Sequence, residues 1–240
     1  MSSYNDIGID GALDWPRIRK LMIIGLLAGA MVMAGDMLLG WGVHDASKSG
    51  LEGFLSAYVN LSDSRIFWSA MLGMIGIALE GLCFFAVYRL IVQGSRRLAH
   101  IYRSGIFGYL IFAACGVHVP CLACVYVYKH LARVSPENAL ELSWRFGLYF
   151  LLPAMILFFI FWGIHSAAQI AAFARGLTPY PRWCWVFCMP VGQGLTMLLK
   201  LAPETALRNA LTAAWLSIGN MWMMAGLLLT MKLARKREIV

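Results

Sequence analysis

A chain of 240 residues that is 60% hydrophobic and only 13% charged is not an ordinary soluble domain. Its mean hydropathy of +0.70 and nine tryptophans fit a polytopic membrane protein with interfacial aromatic side chains. The formal charge of +8 does not indicate nucleic-acid binding, because no basic surface interleaved with stacking aromatics accompanies it.

The opening segment MSSYNDIGIDGALDWP is polar and acidic and lacks the basic region, short apolar core and cleavage site of a signal peptide. The first span is therefore expected to be a retained helix. Six apolar stretches lie near 21–41, 66–94, 104–128, 146–172, 184–201 and 210–231. Each reaches about 18 residues or more, the length a helix needs to cross roughly 30 Å of hydrocarbon. The expected fold is all-α, a six-helix transmembrane bundle forming a single membrane domain over residues 1–240. Residues 42–65 form the longest connection. Within it Leu51, Phe54, Leu55, Tyr58 and Leu61 recur at helical spacing, with Glu52, Ser56 and Asn60 between them. This predicts a short amphipathic helix at about 50–62 on the outer membrane face, as an interfacial filler or as a lid over a cavity opening outward.

The remaining connections are short, so sequential helices should be neighbours in an up-and-down bundle. Pro120, Pro153 and Pro190 fall inside the third, fourth and fifth spans, where each removes one helical hydrogen bond and frees the carbonyl of Gly116, Tyr149 or Val186. Placing the termini and alternate connections on one side gives that side thirteen of the twenty Lys and Arg, among them Arg17, Arg96, Arg175 and Arg235. The other side holds Lys48, Arg65, Lys129, Arg133, Arg145, Lys200 and Arg208. The positive-inside rule then puts both termini in the cytoplasm, with the tail KLARKREIV as an anchor touching anionic headgroups.

Ionisable groups inside a bilayer must face protein or water, which singles out Asp36, Glu80 and His118. Small residues mark the faces where membrane helices approach. Asp36 shares a stripe with Gly25, Gly29, Val32 and Gly40; Glu80 with Ser69, Gly73, Gly76 and Cys83; His118 with Ser104, Gly108, Ile111 and Cys115. At about 1.5 Å per residue, Asp36 and His118 fall within about 5 Å of one depth. Gln193 and Asn220 come out somewhat lower, Glu80 lower still, and His165 close to the cytoplasmic interface.

Cys115, His118, Cys121 and Cys124 are metal-ligand residue types, but three-residue steps rotate them around the helix axis and four cannot converge. Cys184 and Cys188, at i and i+4 with Met189 beside them, are better spaced, but buried Cys is common in apolar segments. Bis-His haem ligation by His118 and His165 is opposed by their different depths. No lysine lies deep in a span for a Schiff base, and G-x-S-x-G and H-E-x-x-H are absent. All six cysteines fall within apolar spans, so no extracytoplasmic disulfide framework is indicated.

Three segments carry a resemblance. Ala34-Gly35-Asp36-Met37-Leu38-Leu39-Gly40-Trp41 closes the first span, Gly116-Val117-His118 sits in the third, and Gly176-Leu177-Thr178-Pro179-Tyr180-Pro181-Arg182-Trp183 leads into the fifth. The chain resembles an uncharacterised bacterial family of six-helix membrane proteins with Gly-Asp in the first helix and a Pro-Arg-Trp turn before the fifth. The resemblance implies a bacterial inner-membrane location and carries no known activity. Glu80 and the cysteine cluster stand outside its pattern.

The expected function is an intramembrane polar cavity that binds a small amphipathic or lipid-like molecule. Asp36 and His118 would be the catalytic or orienting pair, and Glu80, Gln193 and Asn220 the ligand contacts. An enzyme and a transporter both fit. The alternative class is a structural or assembly subunit packed against a membrane-protein partner or another copy of itself. A haem- or metal-binding protein is a lesser alternative. Membrane lipids are the expected surroundings, and cofactor identity is left open.

Overall fold

The structure, a computed structural model, describes residues 13–238; the opening polar segment lies mostly outside them. Helix α1 (Trp15–Gly40) starts where the Asp14 side chain accepts from the Arg17 amide at 3.0 Å and Pro16 presets the first turn. Its far end is capped from another element. Arg65 Nε and Nη2 donate to the Leu38 carbonyl at 3.1 and 2.6 Å, and Nη2 donates to the Trp41 carbonyl at 3.0 Å. These carbonyls have no donor within the helix, and the guanidinium also complements the dipole at that end. Arg65→Met is therefore expected to lower stability by about 1–2 kcal/mol, with Arg65→Lys recovering part of it. Thermal unfolding in detergent measures this, and an unchanged midpoint for Arg65→Met would sink the capping role.

Helix α2 (Gly50–Ser56) occupies the first part of the expected 50–62 element, and turns follow it at 57–60. Helices α3 (Asp63–Cys83) and α4 (Phe85–Val92) run on as one apolar rod of 30 residues. Helices α5 (Arg96–Phe112) and α6 (Val119–Val134) make a second rod, joined by a π-helical turn at Ala113–His118. Helices α7 (Pro136–Phe146) and α8 (Leu152–Ala174) make a third, joined by a π-helical turn at Gly147–Leu151. Both π turns end two residues before a proline. The Val119 amide bonds back to Ala114 and the Leu152 amide to Gly147, five residues in each case. A widened turn just upstream thus accommodates Pro120 and Pro153 without breaking either rod.

The second and third rods are each 39 residues, about 58 Å at about 1.5 Å per residue, nearly twice the hydrocarbon thickness. Their far ends and α2 enclose a small core of Leu55, Tyr58, Leu61, Ile66, Leu122, Val125, Tyr128 and Ala139. Residues 129–145 are therefore not a short loop. Lys129 lies buried in α6 with its ammonium on Asp63 at the start of α3, and Glu141 and Arg145 pair at 2.7 Å one turn apart. An apolar-run criterion stops at such charges, whereas a helix continues through them.

The segment expected to form a span near 184–201 is interrupted. Arg182–Phe187 is a 3₁₀ helix, Cys188 is extended, α9 (Met189–Met197) follows, and Leu198–Leu201 is again 3₁₀. Pro190 therefore opens α9 rather than kinking a longer helix. It has no N–H to offer Val186, and the helix restarts there, where the missing donor costs nothing. The segment still joins opposite ends of α1. Tyr180, just before it, lies 6.4 Å from Trp15 ring to ring, and Glu204, just after it, accepts from the His44 amide at 3.1 Å. Helices α10 (Ala206–Ala213) and α11 (Trp215–Glu238) complete the chain. Among the described residues five helices are long and apolar enough to cross a membrane, and no strand is present.

Close approaches follow the small residues. Gly76 lies against the Ala28 carbonyl and Val32 of α1, and Gly35 against the Ser69 carbonyl of α3. Gly105 meets the backbone of His165, drawing α5 onto α8. Two glycines, Gly50 and Gly176, take positive φ instead. Gly176, at φ +71°, ends α8 with its own amide on Phe173 O at 2.9 Å and the Leu177 amide on Ala172 O at 2.8 Å. That paired closure needs the left-handed conformation glycine adopts without cost.

Candidate functional site

The first and third spans bring Asp36 and His118 together. Asp36 Oδ1 lies 3.6 Å from His118 Nδ1, a charge contact rather than a hydrogen bond. His118 Nε2 is 3.0 Å from the Ser69 carbonyl oxygen, which can only accept, so Nε2 carries hydrogen. Nδ1 then faces Asp36, and contact between the two groups requires one shared proton, on the ring or on the carboxyl group. The ring fits because position 73 is glycine; a Cβ there would lie 1.9 Å from Nε2. Ser217 Oγ is 3.2 Å from Asp36 Oδ2 and 2.9 Å from the Ala214 carbonyl, so its one hydrogen serves either acceptor. The carboxylate and imidazole keep 16% and 10% of their side-chain surface open. His118 ends the π turn ahead of Pro120, so the irregular backbone sits at the imidazole itself.

The predicted ligand contacts divide. Glu80 and Asn220 meet each other and Tyr109, away from the Asp36 pair's hydrogen bonds. Tyr109 Oη donates to Glu80 Oε2 at 2.8 Å, and Asn220 Nδ2 donates to the same oxygen at 2.9 Å and lies 3.1 Å from Tyr109 Oη. Three helices, α3, α5 and α11, are tied at one carboxyl group. All three residues are buried, and Glu80 Oε1 has no hydrogen-bond partner and lies against Gly29. Gln193 is not part of this group. It is buried against Gly219, and neither amide atom has a partner.

His165 is fully buried within the protein. Its ring lies 4.1 Å from Tyr102 and 4.9 Å from Phe84, centroid to centroid. His118 faces α1 and α3, whereas His165 packs against Tyr102 and Gly105 of α5 and against Phe84. No cluster of three His, Cys, Asp or Glu side chains with metal-binding geometry occurs among the described residues. Cys121 and Cys124 instead line an apolar cavity, and Cys115 is exposed. Tyr109, Ser69 and Ser217 escaped a search limited to ionisable and amide side chains, although Tyr109 adjoins Gly108 and Ser69 stands on the Glu80 stripe.

Two cavities flank α2. One, of about 260 Å³, is apolar and lies between α2, α6, the π turn at 147–151 and α8. The other, of about 470 Å³, lies between the end of α1, α2 and α10, with His44, Lys200, Arg208 and Asn209 in its wall. Phe54 lines both, its ring stacked on His44 at 5.7 Å. Gly40 lines the polar cavity, and Asp36 lies one helical turn, about 6 Å, below it on the same helix.

Beside the polar cavity, Glu204 accepts from Asn209 Nδ2 at 2.7 Å, the His44 amide at 3.1 Å and His44 Nδ1 at 2.5 Å. These bonds, that from Asn209 foremost, hold its carboxyl down at about 2 against an ordinary 4.5. A depressed carboxyl contributes stability above its unfolded value and loses it as pH falls through the folded one. Wild type should therefore lead Glu204→Gln by a constant margin above about pH 5, and the margin should shrink between about pH 4.5 and pH 2. Parallel thermal melts across that range test it; a margin independent of pH would remove the ionised Glu204 from the account.

These long apolar helices, and charged groups placed where helices pack, define a polytopic all-α protein of the membrane class. Its residues 4–234 match the model of a family of unknown function (DUF6796), and the chain belongs to that family. No curated protein and no solved structure matches it.

Proposed function

We propose that this is a bacterial inner-membrane protein of six crossings with both termini cytoplasmic, which binds a small amphipathic or lipid-like molecule at its outer face. The interrupted 182–201 segment makes the fifth crossing, since its ends lie beside opposite ends of α1. Five long rods and this segment give an even number of passes, in keeping with the asymmetry of basic residues. In this reading α2 is the outer lid, and Asp36 and His118 exchange a proton with the bound molecule or orient it. Partly open Asp36, one turn below the polar cavity and facing Nδ1 of His118, carries the proposal. Glu80, with Tyr109 and Asn220, holds three helices in register beneath the pair.

Lipid retained by the purified protein, identified and counted by mass spectrometry, is the first test. Asp36→Asn and His118→Ala should each reduce the retained amount of one species. Unchanged retention and unchanged function in both variants would reject the pair as the site. An enzyme would convert that species in detergent, whereas a transporter would move it only in sealed vesicles. A second reading, an assembly subunit, draws on the π turn between α7 and α8, where Tyr149 is 75% and Phe150 64% exposed. A stoichiometric membrane partner, or a second copy, in gentle detergent would favour it.

A further inference from the structure

We propose that the two cavities flanking α2 form one divided site for an anionic single-chain amphiphile, with its tail in the apolar cavity and its head beside Lys200 and Arg208. This rests on the amphiphile reading above and adds the class and placement of the ligand. The apolar cavity, about 260 Å³, is walled by side chains such as Leu51, Leu55, Leu148, Leu152 and Met155. Among its lining residues Ser143 has its carbonyl accepting from Cys124 Sγ at 3.3 Å and its buried hydroxyl without a partner. Pockets for drug-sized ligands run from roughly 300 Å³ upward, so this volume suits one hydrocarbon chain rather than two.

Charge decides the head. The polar cavity has two full cations in its wall, Lys200 and Arg208, and no carboxylate. The nearby Glu204 is committed to His44 and Asn209. Arg208 is already positioned, with Nη1 on the Ala202 carbonyl at 2.9 Å and Nη2 on Asn209 Oδ1 at 3.0 Å, while Lys200 is exposed and long enough to follow a headgroup. A cationic head would be repelled there, and a neutral one would leave both cations without an ion-pair partner of their own, since Glu204 bonds to His44 and Asn209. Phe54 stands between head and tail compartments, on the one helix that roofs both. An amphiphile crossing beneath it would bury its chain on one side and pair its charge on the other.

The test is equilibrium dialysis of the full chain in neutral-lipid nanodiscs with radiolabelled dodecanoate, dodecanol and dodecyltrimethylammonium, subtracting protein-free discs. Dodecanoate should bind saturably and about tenfold tighter than either of the others, one close charge pair being sufficient for such a ratio. Each methylene removed from the carboxylate should weaken binding about fourfold, a measurement that needs no variant. Lys200→Gln should weaken dodecanoate and leave dodecanol unaffected. Equal or tighter binding of the alcohol or the ammonium would overturn the anionic assignment while leaving an amphiphile site in place. Binding of dodecanoate without chain-length dependence would overturn the tail placement. Saturable binding of none of the three would reject both this proposal and the amphiphile reading on which it rests.

Discussion

His118→Ala is expected to cost about 3 kcal/mol of stability, and Asp36→Asn in the same protein to give part of it back. The two spans place Asp36 Oδ1 and His118 Nδ1 3.6 Å apart, with Ser217 as the other side-chain neighbour of the carboxylate. Breaking a buried pair by removing one partner typically costs about 3–5 kcal/mol, because the remaining charge is stranded. The lower end applies here, since the carboxylate keeps 16% of its surface open and the Ser217 hydroxyl can turn toward it. A carboxamide in place of the Asp36 carboxylate would carry no charge to strand, so the double variant should be more stable than His118→Ala alone. The measurement is a thermal cycle in detergent on wild type, both single variants and the double. Purely additive losses would mean that the side chains do not interact in the protein, whatever their separation. Wild-type stability in His118→Ala would mean that the charge is solvated rather than buried.

The meeting of Asp36 with His118 was legible in the sequence because two independent constraints pointed to it. Depth along each helix placed both near one level, and the glycine stripes placed both on contact faces; the structure satisfies both, with Gly73 directly under the imidazole. Glu80 and Asn220 were legible as buried polar groups but not as partners of each other. Their link runs through Tyr109, whose hydroxyl becomes visible only when α5 is set against α3 and α11. The 184–201 region shows what an apolar length rule leaves open. Hydropathy does not distinguish a continuous helix from 3₁₀ and α pieces around an extended Cys188, and Pro190 was compatible with either a kink or a helix start. The rule stopped short at 129–145, where charged residues ended the apolar run although the backbone continued as helix. The polar cluster of His44, Glu204 and Asn209 left no sequence signal, because it joins two connections 160 residues apart.

Gly73→Ala and Gly105→Ala are chemically the same substitution, yet they should respond oppositely when the histidine opposite each is truncated. In a helix interior Gly→Ala alone gains about 0.5–1 kcal/mol, so any net loss must come from contacts. A Cβ at position 73 would fall 1.9, 2.3 and 2.5 Å from Nε2, Cε1 and Cδ2 of His118, all ring atoms. A Cβ at position 105 would fall 2.5, 2.8 and 3.0 Å from Cβ, Cα and N of His165, atoms that survive truncation to alanine. Gly73→Ala must therefore expel the ring from Asp36 and the Ser69 carbonyl, adding overpacking of about 1–3 kcal/mol to the loss of the pair. With His118→Ala already present the obstruction is gone, and the same alanine should be neutral or slightly stabilising. Gly105→Ala must instead force α5 and α8 apart, and His165→Ala offers no relief. The expected coupling is at least about 2 kcal/mol for positions 73 and 118, and no more than about 0.5 kcal/mol for 105 and 165. Thermal melts of the two cycles measure it. Gly73→Ala should also match His118→Ala in lipid retention, because it removes the imidazole from the site without changing it chemically. Additivity at 73 and 118 would place the ring elsewhere, and with it the case for a proton shared between α1 and the π turn.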